Sequence, residues 1–329
     1  MTGVAAEQIT RGRPCIDVII AAYAAEETIA RAVKSALQET ETAAVMVVED
    51  GSIDDTAGAA LACDDGTGRL TVLRQENRGP SSARNTGVAH TTSPAWCVLD
   101  ADDAFVPGRF GRLLQAVGDD WDMAADGTRF VEPDGREQVL AVAPGVHDLS
   151  FEAFVRSNVP RRNAHRQELG FLQPLKRRAF FAAHELCFRP GLRFAEDYVL
   201  YAEALAHGAR FRCASTPGYI AHVTAASLSQ HHTPADFERL IEADRDMLAL
   251  PNLGSGDRKA LARHIHLQRL KAQYLKVDAA LAAGRPLLAL GHGLRDHHTA
   301  GFMFNHRYRG PLSRWVKGLL GRPKPDLHR

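Results

Sequence analysis

Apolar positions in the first hundred residues fall into short runs separated by longer, amphipathic stretches. Residues 17–22 (Asp-Val-Ile-Ile-Ala-Ala) read as a buried strand. Residues 26–37 follow as a helix with Ile29, Val33, Ala36 and Leu37 on one face. Residues 45–48 (Val-Met-Val-Val) form a second strand that ends in Glu49-Asp50-Gly51-Ser52, and Asp54 is placed to cap a helix running to about Cys63. A third strand spans 70–73. Residues 80–88 open a further helix with Ser81 and Ser82 as capping candidates. Residues 96–99 are a fourth strand, and Pro107 falls in the first turn of the next helix. Four alternations with short connections predict crossover units, hence a mostly parallel sheet flanked by helices.

Further along, residues 121–146 are more β-like and irregular. The stretches 151–158 and 174–183 read as helices, 211–214 and 219–221 as short strands, and the chain beyond Thr233 as helical almost to its end. A length of 329 residues allows two domains, or one large domain with an appendage. The five cysteines are scattered and form no Cys-x-x-Cys pair, which argues against a disulfide framework or structural zinc and for a reducing cytosol. The first 13 residues lack the apolar centre of a signal peptide. No apolar stretch approaches the ~20 residues that a membrane-spanning helix needs.

The net charge of +1 hides an asymmetry. Residues 257–329 hold 15 Lys and Arg against 4 Asp and Glu, a net +11, which leaves −10 on the remainder. A basic tail on an acidic body suggests an anionic partner: a membrane surface, nucleic acid or the acidic body itself. Near the end, Leu312, Trp315, Val316, Leu319 and Leu320 form one helical stripe with Arg314 and Lys317 off it, the pattern of an interfacial helix or of one that packs on the catalytic domain. Nucleic acid is a poor partner, because no recognition motif and few interleaved aromatics are present.

The chemistry concentrates at strand ends. Asp100-Ala101-Asp102-Asp103 directly follows the apolar fourth strand, and the carboxyl edge of an open α/β sheet is where ligands bind. Carboxylates crowded there repel one another and are costly to bury unpaired. A divalent cation relieves that cost, and hard oxygen ligands select magnesium or manganese. A dinucleotide fold would need Gly-x-Gly-x-x-Gly after the first strand, where this chain has Ala21-Ala22-Tyr23-Ala24-Ala25-Glu26. No P-loop is present either. A phosphatase-type Asp-x-Asp would follow the first strand, not the fourth. What remains is an edge gathering Glu49, Asp50, Asp100, Asp102 and Asp103, joined by Arg84 and the polar start of a helix. Arginine and helix N-termini favour phosphate.

Four segments in order, 17–23, 47–56, 77–87 and 98–103, resemble family 2 glycosyltransferases of the GT-A fold. A fifth match lies at Phe194-Ala195-Glu196-Asp197-Tyr198 and a weaker sixth at 219–229. The stretches 64–84 and 107–110 are similar to glucosyltransferases that build succinoglycan-type exopolysaccharide. The resemblance implies a GT-A catalytic domain over 1–230, with a nucleotide-binding half at about 15–120 and an acceptor-binding half at about 121–230, followed by a helical basic extension over 231–329. Where the family usually shows Pro-x-Tyr-Asn and Asp-Asp-Gly-Ser, this chain has Ala21-Ala22-Tyr23-Ala24 and Glu49-Asp50-Gly51-Ser52, which keeps the Asp50 carboxylate.

The resemblance also implies roles. Asp50 would bind uracil, Arg84 the nucleotide or pyrophosphate, and Tyr23 and Glu26 would wrap the nucleoside. Asp102 would ligate Mn2+ or Mg2+, Asp100 would contact ribose or a metal-bound water, and Asp103 would orient sugar hydroxyls. His222 would join the metal or diphosphate. Asp197 would be the base that takes the acceptor proton, with Glu196 supporting it. The activity implied is inverting transfer of a hexose, expected to be glucose, from a UDP-sugar to a saccharide or lipid-linked oligosaccharide acceptor. The site of action would be the cytoplasm, peripheral on the inner face of the cell membrane, with the basic tail on anionic lipid. The alternatives are a nucleotidyltransferase acting on a sugar phosphate and a non-catalytic sugar-nucleotide-binding module.

Overall fold

The computed structural model describes residues 9, 12–13, 15–140, 142–159, 168–223 and 232–285. The chain alternates β1 (Ile16–Ala22), α1 (Ile29–Leu37), β2 (Thr42–Glu49), α2 (Thr56–Leu61), β3 (Leu70–Arg74), α3 (Pro80–Ala89) and β4 (Ala95–Val98). There follow β5 (Ala104–Phe105), α4 (Arg109–Val117), β6 (Met123–Val131), β7 (Glu137–Leu140), β8 (Val146–Asp148) and α5 (Phe151–Ser157). The rest is β9 (Leu175–Arg177), α6 (Arg178–Ala183), α7 (Glu196–Ala206), β10 (Phe211–His222), α8 (Pro234–Leu248) and α9 (Ser255–Ala282).

One sheet runs in the order β3-β2-β1-β4-β9-β6-β10-β5. The first half is parallel, as the alternation predicts: β1 pairs with β2 and β4, and β2 with β3, all in parallel. β9 breaks the pattern by pairing antiparallel with both β4 and β6, whereas β6 and β10 are parallel. Period-two alternation sends the side chains to two cores. Val18, Ile20, Val45 and Val47 join one with α1 and α4, while Ile19, Met46, Val48 and Trp96 join the other with α5, α7, α8 and α9. The helix α3 crosses β1 closely at Gly87, where a Cβ would come within 2.4 Å of the Ile19 methyl.

Several local expectations change. Asp55, not Asp54, caps α2 by accepting the Gly58 N–H at 3.1 Å, because Asp54 is taken up by the Thr56 hydroxyl and the Glu26 N–H. Neither Ser81 nor Ser82 caps α3. Gly79 holds the cap position with φ 86°, and the Ser81 hydroxyl donates to the Leu192 carbonyl instead. Pro107 precedes α4, whose cap is the left-handed Gly108. The first part of 174–183 is strand β9 rather than helix, held by two neighbours distant in sequence. The two short strands expected within 211–221 are one, β10, irregular around Pro217.

The helices α8 and α9 belong to the second core through Leu240, Ile241, Met247, Leu261 and Ile265. A buried polar knot ties them to α7: the Tyr198 hydroxyl donates to Asp244 at 3.1 Å, and His264 Nδ1 meets the same carboxylate at 2.7 Å. The stripe at 312–320 lies outside the described residues. No helix among the described residues is long and apolar enough to cross a membrane.

Beneath the sheet's carboxyl edge, Arg109 and Asp126 form a fully buried ion pair, with Arg109 Nη2 at 2.7 Å from Oδ1. The guanidinium also donates to the Gln173 carbonyl and lies 4.9 Å from the Phe105 ring centroid and 5.4 Å from that of Tyr219. Asp126→Ala strands the buried cation and should lower stability by about 3–5 kcal/mol, read as a displaced urea midpoint with an unchanged slope.

Candidate active site

Four strand ends and two helix starts meet at one edge. β1 delivers Tyr23 and Glu26, β2 delivers Asp50, β4 delivers Asp100, Asp102 and Asp103, and β10 delivers Tyr219 and His222. α3 contributes Arg84, and the first turn of α7 contributes Glu196 and Asp197.

The loops after β1 and β2 are laced together. Ala24 N–H donates to Ser52 at 3.1 Å, Glu26 Oε2 accepts the Asp55 N–H at 3.1 Å, and Ala24 takes a left-handed φ of 49°. Tyr23 stays 54% exposed at the rim, a free aromatic face. Asp50 is buried, and its carboxylate accepts from the Gln75 side chain at 2.7 Å, Arg78 N–H at 2.9 Å and Gly79 N–H at 2.8 Å. It therefore shapes the turn that starts α3.

That turn sets Arg84. The structure buries this residue among carboxylates instead of leaving it open towards a nucleotide. Its Nη2 is 2.8 Å from Asp100 and its Nη1 is 2.7 Å from Glu196 and 3.7 Å from Asp197. Burial opposes the Arg84 charge, yet Asp197, Asp100 and Glu196 together hold the guanidinium well above its ordinary value. The physical reason is the charge count: three acids brought to one place need a cation between them.

Asp197 is only 16% exposed. Burial pushes its carboxyl up to about 6; Arg84 opposes the rise, and Glu196 and Asp100 add to it. The Tyr201 hydroxyl donates to Asp197 Oδ1 at 3.2 Å. Ala195, directly before the pair, has φ 59°, a strained conformation for a residue with a Cβ.

Asp103 is also buried. It accepts from the Tyr219 hydroxyl at 2.7 Å and from the His222 N–H at 2.8 Å, while the same hydroxyl accepts the Asp100 N–H at 3.1 Å. Burial, reinforced by Asp100 and Asp102, holds Asp103 well above the carboxylate range. Asp102 is half-buried and raised by burial and then by Asp100. Arg31 of α1 binds its backbone carbonyl, but no salt bridge reaches its carboxylate among the described residues. The His222 ring is held towards its neutral form by burial and by Arg31, and its Nδ1 is buried with no hydrogen-bond partner among the described residues.

This donor set fits a divalent cation in one specific way. Among the described residues, no three His, Cys, Asp or Glu side chains converge as a ready-made cage. Asp102 instead offers a carboxylate with no ion pair among the described residues, tempered only by the more distant charge of Arg31, and His222, at the end of β10, a ring nitrogen without a hydrogen-bond partner among them. Magnesium and manganese sites of one or two carboxylates are completed by substrate phosphates.

Sequence reasoning gave no role to four residues at or behind this edge: Arg31, Arg109, Lys176 and Tyr219. Arg31 and Lys176 carry no motif, and Arg109 and Tyr219 fall in matched segments that single out neither. Lys176 is fully buried in β9, and Tyr219 is visible only as an apolar residue of a strand.

The fold is that of GT-A glycosyltransferases. It matches Staphylococcus aureus TarS 1-349 in complex with UDP-GlcNAc, at TM-score 0.62 and 17% identity over 92% of each chain. It also matches the mannosyltransferase PcManGT from Pyrobaculum calidifontis in complex with GDP-Man and Mn2+, at TM-score 0.53 and 18% identity over 94% of this chain and 88% of that one. At such identities the likeness is one of fold. The sequence goes further: the chain belongs to glycosyl transferase family 2, whose profile matches residues 17–170. It is 49% identical to the succinoglycan biosynthesis protein ExoU of Rhizobium meliloti (strain 1021), covering 75% of this chain and 73% of that protein. It is 37% identical to ExoO of the same strain, covering 71% and 68%.

The raised Asp197 carboxyl carries a sign. The unfolded chain ionises Asp197 near its ordinary 3.8 and the folded chain near 6, so this residue favours folding below pH 4 and loses that advantage as pH rises through 6. Asp197→Asn should therefore raise stability at pH 8 by about 3 kcal/mol and leave it nearly unchanged at pH 4, measured by thermal melting at both pH values.

Proposed function

We propose that this glycosyltransferase moves a hexose, glucose in the first instance, from a UDP-sugar to a saccharide of a growing exopolysaccharide, with inversion. The observation that carries this reading is the Arg84 bridge. It ties the Asp-x-Asp segment, through Asp100, to Asp197 at the start of α7. The half that would hold a donor and the half that would hold an acceptor are thereby brought to one point. The names of the relatives support an exopolysaccharide product, and the UDP-GlcNAc complex of TarS supports a uridine nucleotide donor.

In this reading Tyr23 covers the base, and Asp50 and Glu26 shape its pocket through the loops they hold. Asp102, with His222 on the same edge, would hold Mn2+ or Mg2+, which when bound would neutralise charge on the diphosphate. Asp103, fixed by Tyr219, faces the sugar hydroxyls. Asp197 takes the proton of the acceptor hydroxyl as that oxygen bonds to the anomeric carbon. The bond from this carbon to the diphosphate oxygen breaks, and its electron pair leaves with UDP. Attack opposite the leaving group turns an α-linked donor into a β-linked product. Arg84 keeps Asp197 ionised and aligned, and Glu196 anchors Arg84. An acceptor carried on lipid fits the basic tail, which would place the enzyme on the anionic inner face of the cell membrane.

Two measurements test this. Among UDP-sugars supplied with manganese, UDP-glucose should give the fastest UDP release. Asp102→Ala should abolish release, and Asp197→Asn should reduce it at least roughly 100-fold; release of pyrophosphate instead of UDP would replace the reading with nucleotidyl transfer. The full-length chain should co-sediment with phosphatidylglycerol vesicles and not with phosphatidylcholine alone. Equal recovery with both would remove the membrane assignment.

A further inference from the structure

Lys176 has no part in the chemistry above, yet its position is costly. It lies in β9, between β4 and β6, with its side chain wholly buried. Its ammonium donates to the Pro174 carbonyl at 3.1 Å and sits 4.6 Å from the Trp96 ring centroid and 5.1 Å from that of Tyr201. No carboxylate lies within ion-pair distance of it among the described residues. A leucine or methionine would fill the same space without the desolvation cost of a charge. Burial pushes Lys176 down to about 8, and the strongest influence holding its proton is the charge of Asp197.

Tyr201 connects the two. Its ring faces the ammonium, and its hydroxyl has two acceptors in reach, Asp197 Oδ1 at 3.2 Å and Gln173 Oε1 at 3.4 Å. With a single proton to give, the hydroxyl favours the charged acceptor. The charged groups around Asp197 are Glu196 on its own helix, Arg84 on α3, Asp100 after β4 and Lys176 on β9. With Asp197 itself, two cations face three anions. Loss of Lys176 leaves one cation against three.

We propose that Lys176 and Tyr201 are positioning residues that hold Asp197 ionised from behind, so that it is competent as a base at neutral pH. This rests on the reading of Asp197 as the base. The test is the pH profile of UDP release from UDP-glucose at fixed manganese. The wild type should lose activity as pH falls through about 6. Lys176→Met should move that acid limb up by roughly one pH unit, with activity restored towards wild type at high pH. Lys176→Arg should leave the limb in place. Tyr201→Phe, which keeps the ring and the packing, should move the limb in the same direction as Lys176→Met. A uniform loss at every pH with the limb unmoved in both Lys176→Met and Tyr201→Phe would overturn the proposal. Full activity in Asp197→Asn would instead overturn the base assignment.

The same displacement is readable without turnover. The difference in melting temperature between wild type and Asp197→Asn grows from about pH 4 and levels off at the folded-state Asp197 transition, near 6. That levelling-off should move upward by roughly one unit when both proteins also carry Lys176→Met, or Tyr201→Phe if the first variant does not fold. Coincident transitions would defeat the inference.

Discussion

Arg84 reaches Asp100, 16 positions along the chain, and Glu196, 112 positions along it. No local preference brings such groups together. They meet because α3 crosses β1 at Gly87 closely enough to hold its guanidinium against the ends of β4 and α7. A buried ion pair is a weak source of net stability, since desolvation offsets much of the attraction. Its use here is registration. The Asp-x-Asp segment and the Glu-Asp segment belong to different halves of the sheet, and the shared cation gives them one relative position.

The same edge is braced from below by a second buried cation. Arg109 pairs with Asp126 and packs under the Tyr219 ring, and the Tyr219 hydroxyl in turn fixes Asp103 and the Asp100 N–H. Carboxylates at the tips of flexible loops would drift apart under mutual repulsion. Here Asp100 is held by Arg84 and by Tyr219, and Asp103 by Tyr219 and the His222 N–H. Asp102 alone of the three lacks such a partner among the described residues. That leaves it the group for which an external cation gains most.

Much of this was legible before any coordinates. Short apolar runs identify β1, β2 and β4, the last two ending in acids, because a strand of a buried parallel sheet is largely apolar and groups that meet a ligand follow it at the carboxyl edge. Asp50, Asp100, Asp102 and Asp103 are therefore found from the pattern, and Asp197 from the likeness of its segment to a family. Residues 175–177 were misread as helix because Phe180, Phe181 and three alanines follow, while the pairing that makes β9 a strand comes from Trp96 and Met123, distant in the chain. Lys176 and Arg109 were silent for the same reason: a buried cation is recognised by what surrounds it, and its surroundings are nonlocal. Arg84 was visible as a charge near phosphate chemistry, but the acids that claim it could be counted only once α7 was in place.

Glu196 and Asp197 also allow a purely structural explanation, as acids in the first turn of a helix stabilised by its dipole. The geometry argues against that explanation as sufficient. An acid selected for the helix dipole stays near solvent and ionises more easily than usual. Asp197 does the opposite: it is 16% exposed, follows a left-handed alanine, and ionises only near 6 despite Arg84 and Lys176. A fold optimised for stability alone would place an amide or an apolar residue there. Strain and a disfavoured charge held at one point, beside a strand edge lined with acids, are costs that a contribution to the helix dipole does not offset.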